Sequence, residues 1–575
     1  MGGNNIQSLH CDWVAGLRLA LWGAAWQQYA EGMSVTQRNR IGVNRYSCVG
    51  RASWEAARGW GALLWGVPFA VVLGILLGRN AWLFRVPVYE DADMAAYSIQ
   101  VEQARRFVLL VGNYSREKFN HPGPAFLYVQ AWGEDLFYDL LRVVPASWNG
   151  EVVGLYLLNS FFAACVVVVG FRWGGARGGL VTLGVVGLYG AVHPSIFASD
   201  WMPYEYVPAY LAFLVSVASV AGGRTRDSWI AALAGWFLIH GHACFLFIVP
   251  VLSLGAVAIR LAPHVRRRTR PRPGRRVWVP VAMISAVFAL PIAGELVLHW
   301  PGNFGKYFAY SGSAQSGGHS EAQVVDYVLW FWWPHAGAWA VALVLVVAAA
   351  AAAWRLPAGP ARLFCLALLA VDAASSVAFV VYAATGIDEV NQYYIGYFYW
   401  SAPVIMILVV AAAGTELLAA RTARPGTARA RVVPGVAVAL ALAGCAAFAL
   451  APQTRLSTDH ADPGDPAATG PVADPSLPAG VARIAALAAG RYAVISFRQD
   501  AWPAITGILV QAERTGVPVC VADPKWELMM TSQFICTHKE TLDGLRFSVW
   551  GPAGVPRGMP AVFRLRRGIV TYGTK

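Results

Sequence analysis

Long apolar runs separated by short polar stretches dominate the chain between residues 59 and 452. A run of about 20 apolar residues is long enough to cross the hydrocarbon core of a bilayer as a helix. The polar break His240-Gly241-His242 divides the run 228–260 into two helices. The pattern predicts about eleven spans, at residues 59–78, 151–171, 178–197, 205–222, 228–241, 243–260, 278–298, 331–354, 363–385, 396–418 and 433–452.

The pattern changes after residue 452. Residues 453–480 are rich in Pro, Ala and Asp, which is typical of a linker. Beyond it, short apolar runs of strand type alternate with a run of helical period, as in an α/β domain. The predicted strands are RYAVISF (491–497), VPVCVA (517–522), FSVW (547–550) and AVFRLRR (561–567), and the predicted helix is 502–516.

These patterns predict an all-α polytopic membrane protein with a small C-terminal α/β domain. Within the first outer loop, the segments 93–111 and 124–142 predict amphipathic helices lying on the membrane. The predicted organisation is a cytoplasmic N-terminal segment, in part disordered (1–58), a membrane domain (59–452) with a large first outer loop (79–150), a linker (453–480) and an extracytoplasmic α/β domain (481–575).

Composition and charge agree with a membrane protein. Hydrophobic residues make up 57% of the 575 positions and charged residues 13%, whereas soluble proteins are about one quarter charged. The net charge of +13 comes from basic residues in alternate loops, above all 260–276. That distribution follows the positive-inside rule, so it predicts a cytoplasmic N-terminus and not a nucleic-acid partner. Cys520 and Cys536 lie in the outer tail, where an oxidising compartment would allow them to pair.

Three acids follow the first predicted span closely: Glu90, Asp91 and Asp93. A carboxylate held at the membrane surface can serve as a general base. Carboxylates are also suitable ligands for a divalent cation, and an Asp before ADMAAYSIQVEQA is a plausible helix N-cap. The sequence leaves these three roles open.

A second polar stretch, NYSREKFNHPGP (113–124), lies in the same loop. Arg116, Lys118 and His121 supply positive charge and N–H donors of the kind that bind phosphate. Pro122 and Gly123 are also typical of a rigid turn with a hydrogen-bonded histidine. Both interpretations stay open.

WPGNFGKYF (300–308) repeats this chemistry in a later outer loop. Asn303 and Lys306 supply polar contacts, and Glu295 lies about one and a half helical turns below, so we expect it to face the same cavity. His242 is a further donor, and with His240 it has spacing suited to zinc, although no third ligand is evident. The metal content therefore stays unknown, with no certain cofactor and a divalent cation as an option.

Together, the acidic cluster, SREKFNHPGP, DWMPYEYVPAY (200–210), GHACFLFIVP (241–250) and GELVLHWPGNF (294–304) resemble the GT-C-fold glycosyltransferases. The resemblance covers about residues 59–420 and is greatest to bacterial members with an S-R-x-x-x-x-H-P-G-P motif in the first outer loop. These are multi-pass enzymes of the bacterial inner membrane that take sugars from polyprenyl phosphates.

The resemblance implies an inverting hexosyl- or pentosyltransferase that moves a sugar to an extracytoplasmic glycan, lipid or protein. It implies a catalytic acid in the first outer loop, matched by Asp93 first, then Asp91 or Glu90. We expect Arg116, Lys118, His121, His242, Asn303, Lys306 and Glu295 to bind the lipid-linked donor. The alternative is a transporter or flippase of a lipid-linked precursor, for which Asp372 at mid-membrane is the main sequence feature.

Overall fold

The structure is a computed structural model that describes residues 49–266, 274–311, 318–422, 432–452, 474–551, 554–555, 559 and 561–573. Most of the predicted N-terminal segment, the predicted linker up to residue 473 and part of the basic loop 260–276 lie outside the described residues. The chain divides into two compact units, Met1–Leu64 and Trp65–Lys575. All contacts discussed below lie within the second unit.

Fifteen α-helices precede residue 452 in the described part of the chain. They are α1 (Val49–Arg79), α2 (Ala92–Arg105), α3 (Ala125–Glu134), α4 (Ser147–Val192), α5 (Ser195–Ala198), α6 (Met202–Ala221), α7 (Ser228–Gly241), α8 (Phe245–Arg266), α9 (Arg275–His299), α10 (Gly302–Ser311), α11 (Glu321–Trp330), α12 (Ala338–Arg355), α13 (Pro360–Thr385), α14 (Ser401–Thr422) and α15 (Val432–Leu450).

Nine helical stretches in the described residues are long and apolar enough to cross a membrane. The predicted span 151–171 and most of the predicted span 178–197 lie in α4, whose two helical segments meet at the non-helical residue Gly175 (φ 62°). The predicted span 228–241 is α7, whose 14 residues make it short for a crossing. The predicted break after it is confirmed, because α7 ends at Gly241 and α8 begins at Phe245. The chain is a multi-pass helical membrane protein.

Helices α4 and α15 pack closely along one another. Gly184 in α4 lies against the backbone of Gly444 in α15, where any side chain would collide with the neighbouring helix. Small residues permit such close approach between membrane helices, which gains van der Waals contact in the absence of a hydrophobic driving force.

The C-terminal region forms a five-stranded mixed sheet in the order β2-β1-β3-β5-β4. Strand β1 pairs in parallel with β2 and β3, and β5 pairs antiparallel with β3 and β4. Cys520 and Cys536 form a disulfide. The elements are α16 (Leu477–Ala488), β1 (Ala493–Phe497), α17 (Trp502–Thr515), β2 (Val519–Val521), α18 (Glu527–Met530), α19 (His538–Asp543), β3 (Leu545–Trp550), β4 (Ala561–Arg564) and β5 (Ile569–Tyr572).

Helix α2 lies between the C-terminal domain and the membrane helices. Its Ala95 and Ile99 belong to the hydrophobic core of the C-terminal domain, and its Val101 packs with Leu127 on the other side. The predicted placement of 93–111 on the membrane surface is therefore wrong, because α17 covers the face that was expected to meet lipid. The segment 124–142 contains α3 and a π-helical stretch, Asp135–Leu140.

Candidate functional site

The polar segment 112–124 folds into a tight turn that four other parts of the chain contact. Its two sides pair through Tyr114 and Asn120, and the backbone N–H of Ser115 donates to the carbonyl of Phe119 over 2.8 Å. Lys118 adopts a φ of 63°, a left-handed conformation that closes the turn, and its side chain is exposed.

Asp93 lies beside this turn and is partly exposed. Its carboxylate accepts hydrogen bonds from the Tyr114 hydroxyl and, at 3.0 Å, from Trp201 Nε1. Burial, reinforced by the charge of Asp93, holds the pKa of the Tyr114 hydroxyl well above its ordinary value. The tyrosine therefore remains a neutral donor, and Tyr97 packs against its ring.

The other two acids of the cluster have different partners. Glu90 and Asp91 are buried, with 0% and 1% of their surface exposed. Arg514 Nη1 lies 2.6 Å from Glu90 Oε1, and Arg567 Nε lies 3.5 Å from Asp91 Oδ2. Both arginines come from the C-terminal domain, so these two acids join that domain to the first outer loop.

Arg514 is the centre of a larger acidic cluster. Besides Glu90, its guanidinium lies 3.0 Å from Glu102, 2.7 Å from Glu151 and 3.7 Å from Glu134. Burial raises the pKa of the Glu134 carboxyl to about 7, although the nearby arginine opposes the shift. The charge and hydrogen bonds of Arg514 offset part of the desolvation of these four carboxylates, and Arg105 also pairs with Glu102 and Glu134.

Two histidines form the next part of the site. The rings of His121 and His242 lie 4.4 Å apart. His121 Nδ1 accepts from the backbone N–H of Ala243 over 3.3 Å, and His242 Nδ1 accepts from that of Cys244 over 3.2 Å. Burial lowers the pKa of His121, and it lowers that of His242 to about 4. At neutral pH both rings are therefore uncharged and carry their proton on Nε2.

His240 has a structural position beside this pair. Its Nδ1 accepts from the backbone N–H of Ala125 over 3.2 Å, and its Nε2 donates to the Phe288 carbonyl over 2.8 Å. The backbone N–H of Gly123 donates to the His240 carbonyl. These bonds attach the HPGP turn to the end of α7. In the described residues, no group of three or more histidines, cysteines or acids has the arrangement of a metal site.

Arg116 is paired with acids of another outer loop. It donates to the side chains of Asp388 and Gln392, and its Nη1 lies 3.9 Å from Glu389. Burial alone would raise the pKa of Asp388, but the hydrogen bond and charge of Arg116 outweigh it, and the pKa is lowered. The Arg116 side chain is about one third exposed.

The loop 300–308 contacts the turn from the opposite side. Asn303 Oδ1 accepts from the backbone N–H of Asn120 over 3.2 Å, and the Tyr307 hydroxyl donates to the Asn120 carbonyl over 2.5 Å. Glu295 accepts from the backbone N–H of Asn303 over 3.0 Å, so it stabilises the start of α10. Lys306 is exposed.

The structure thus brings most of the predicted residues to one end of the helix bundle. The turn 112–124 contacts Asp93 through Tyr114, and it contacts the residues around 240–243, 303–307 and 388–392. Glu90 and Asp91 lie at the junction with the C-terminal domain.

Sequence reasoning missed Tyr114, Trp201, Arg514 and Arg567. The aromatic residues carried no distinguishing signal among the many tyrosines and tryptophans expected near a membrane interface. Arg514 lies within the predicted helix 502–516 and Arg567 ends the predicted strand 561–567, and nothing in their local pattern indicates a buried partner far away in the sequence.

No protein-family model and no curated protein sequence matches the chain. Among solved structures it is similar to ArnT from Cupriavidus metallidurans in the apo state, with 16% identity over 90% of this chain and 98% of that chain and a TM-score of 0.49. It is also similar to the apo oligosaccharyltransferase of Archaeoglobus fulgidus, with 13% identity over 86% and 69% and a TM-score of 0.31. Neither similarity is strong enough to carry an argument about function, which therefore depends on the geometry of the site.

Proposed function

We propose that this chain is a membrane glycosyltransferase of the GT-C type that moves a sugar from a polyprenyl phosphate to an extracytoplasmic acceptor. The observation that carries the proposal is the position of Asp93. Its two acidic neighbours are buried against arginines, whereas Asp93 is partly exposed and accepts hydrogen bonds from the neutral donors Tyr114 and Trp201. A carboxylate in this setting can accept a proton from a substrate hydroxyl.

The proposed step needs a single base. The acceptor hydroxyl oxygen bonds to the anomeric carbon as the bond from that carbon to the phosphate oxygen breaks. The electron pair of the broken bond stays on the phosphate, which leaves as polyprenyl phosphate, and the hydroxyl proton passes to Asp93. Attack from the face opposite the phosphate inverts the anomeric centre.

His121 and His242 are the proposed donors to the phosphate. Because each Nδ1 is occupied by a backbone N–H, each Nε2–H is left as the ring's donor. Two neutral donors bind a phosphate oxygen without requiring the ring to gain a proton. Arg116 and Lys118 add positive charge at the exposed edge of the turn. Asn303 contacts the turn and is itself held by Glu295, and the exposed Lys306 is a further proposed contact to the donor.

We further propose that the site faces the outside of the bacterial inner membrane, with the N-terminus in the cytoplasm. The arginine-rich loops predicted at the opposite end support this orientation. The disulfide between Cys520 and Cys536 supports an oxidising compartment for the C-terminal domain.

The proposal is tested with the purified full-length chain in nanodiscs. A panel of polyprenyl-phosphate-linked pentoses and hexoses is supplied with an envelope extract as acceptor, and released polyprenyl phosphate is measured by chromatography. We expect release from at least one donor, dependent on the acceptor. In parallel, proteoliposomes with a fluorescent donor report movement between leaflets. Transfer of intact donor across the bilayer without bond cleavage would contradict the proposal and favour the transporter alternative.

A further inference from the structure

The segment Tyr89–Ala92, directly before Asp93, is held by the C-terminal domain at every residue. Two backbone contacts come first. The N–H of Asp474 donates to the Tyr89 carbonyl over 3.0 Å, and the Thr506 hydroxyl donates to the Ala92 carbonyl over 3.0 Å. Both acceptors are main-chain atoms, so these contacts constrain the path of the chain itself.

Between these two contacts, the side chains of Glu90 and Asp91 form ion pairs with arginines. Glu90 meets Arg514 over 2.6 Å, and Asp91 meets Arg567 over 3.5 Å. The contacts are reinforced within the C-terminal domain, because Asp474 accepts from the backbone N–H of Arg566 over 2.5 Å. Contacts from the same C-terminal region therefore hold four successive residues.

Ala92 has a backbone conformation that is unfavourable for an alanine. Its φ is 54°, in the left-handed region, where a residue with a Cβ is strained. A strained conformation persists only when the surrounding structure imposes it. The hydrogen bond from Thr506 ends on the carbonyl of this same residue, and the next residue is Asp93.

We propose that the C-terminal domain is a positioning element: Thr506, Arg514 and Arg567 hold residues 89–92 in a strained path that orients Asp93 toward the substrate. This inference rests on the proposed function, because it states which contacts orient the carboxylate of the proposed base, Asp93. The domain then acts without contacting the reacting atoms, and residues distant in sequence control the alignment of the base.

The expected effect is on turnover and not on donor affinity. The proposed contacts to the phosphate come from the turn 112–124 and the loop after α7. The contacts of Thr506, Arg514 and Arg567 named above hold neither of these segments. A small displacement of the base is costly, since a misplacement of about 1 Å can lower a rate by about 100-fold. Loss of one of these contacts to residues 89–92 should therefore lower kcat by roughly 10-fold and leave KM for the donor within about twofold.

The test uses Thr506→Val in the full-length chain, because valine has nearly the shape of threonine and lacks the hydroxyl. The Thr506 hydroxyl also lies 3.0 Å from the Pro503 carbonyl of its own helix. Thr515→Val is the matched control, since its hydroxyl bonds only within α17 among the described contacts, to Gln511 and Ala512. Hydrogen–deuterium exchange of peptides spanning residues 89–97 is measured beside the kinetics.

We expect Thr506→Val to speed exchange in 89–97 and lower kcat, and Thr515→Val to do neither. Adding Ala92→Gly should recover part of the turnover, because glycine adopts a positive φ without strain and needs less external support. Unchanged exchange, an equal loss in the control, or faster exchange with unchanged kcat would each overturn the inference.

The exchange measurement separates this inference from the proposed function. A wild-type chain that cleaves no donor would refute the proposed function, and the exchange of 89–97 would still show whether the C-terminal domain orders that segment. Normal wild-type turnover with no response to Thr506→Val or Arg567→Gln would refute the positioning role alone.

Discussion

Replacement of Asp93 by asparagine is expected to lower sugar transfer by about 10²–10⁴-fold while the donor still binds. Asparagine keeps the size of the side chain, its carbonyl oxygen can still accept from Trp201 Nε1, and its amide group can donate to the Tyr114 hydroxyl in place of the second carboxylate oxygen. It cannot take the hydroxyl proton. Turnover is measured as released polyprenyl phosphate, and donor binding is measured separately with a non-transferred polyprenyl phosphate.

The control for this prediction is Asp326→Asn, which removes a carboxylate from an exposed position on α11. It should leave turnover unchanged. Near-normal transfer by an Asp91/Asp93 double asparagine variant would remove the base from both positions. Glu90, which is buried in an ion pair with Arg514, would then be the remaining acid of the cluster, and the transporter alternative would gain support.

The second large effect is expected from Arg514→Leu, which removes the positive charge from the centre of four carboxylates. Breaking a buried ion pair typically costs about 3–5 kcal/mol, because the remaining charges stay desolvated and unpaired. Since Glu90, Glu102, Glu134 and Glu151 all face this guanidinium, we expect loss of the docked C-terminal domain. Limited proteolysis and thermal unfolding in detergent measure the loss.

Arg498→Leu is the matched control, because that arginine is in the same domain with 62% of its side chain exposed. It should behave like the wild type. Removing one carboxylate, as in Glu90→Gln together with Arg514→Leu, should recover part of the stability because fewer buried charges are left unpaired. A stable Arg514→Leu variant with a protease-resistant C-terminal domain would show that the cluster does not hold the two parts together.

Much of the membrane architecture follows from local pattern. A span is a property of about 20 consecutive residues, so the apolar runs and the break between α7 and α8 could be predicted directly. The strands β1 and β2 and the helix α17 were also predictable from their periods. The sequence could not show that the connection between the two helical segments of α4 is as short as the kink at Gly175, because glycine permits both a kink and a longer loop.

The site was less predictable because its parts meet through long-range contacts. The sequence grouped Glu90, Asp91 and Asp93 as equivalent acids, yet Glu90 pairs with an arginine 424 positions further along the chain. No local pattern indicates such a contact. The C-terminal domain, which contains this arginine, also covers the face of α2 that was expected to meet the membrane. The contact of Glu295 with the start of α10 was also not predictable, because it depends on Gly302 turning the chain back onto the carboxylate at a φ of 50°.

The most direct test of the central claim is a cryo-EM map of the full-length Asp93→Asn variant in nanodiscs with a donor that the wild type cleaves. This variant should hold the donor without consuming it. We predict phosphate density within hydrogen-bond distance of Nε2 of His121 or His242, with the sugar extending toward the side chain at position 93. Phosphate bound away from both histidines, with the sugar remote from position 93, would contradict the account.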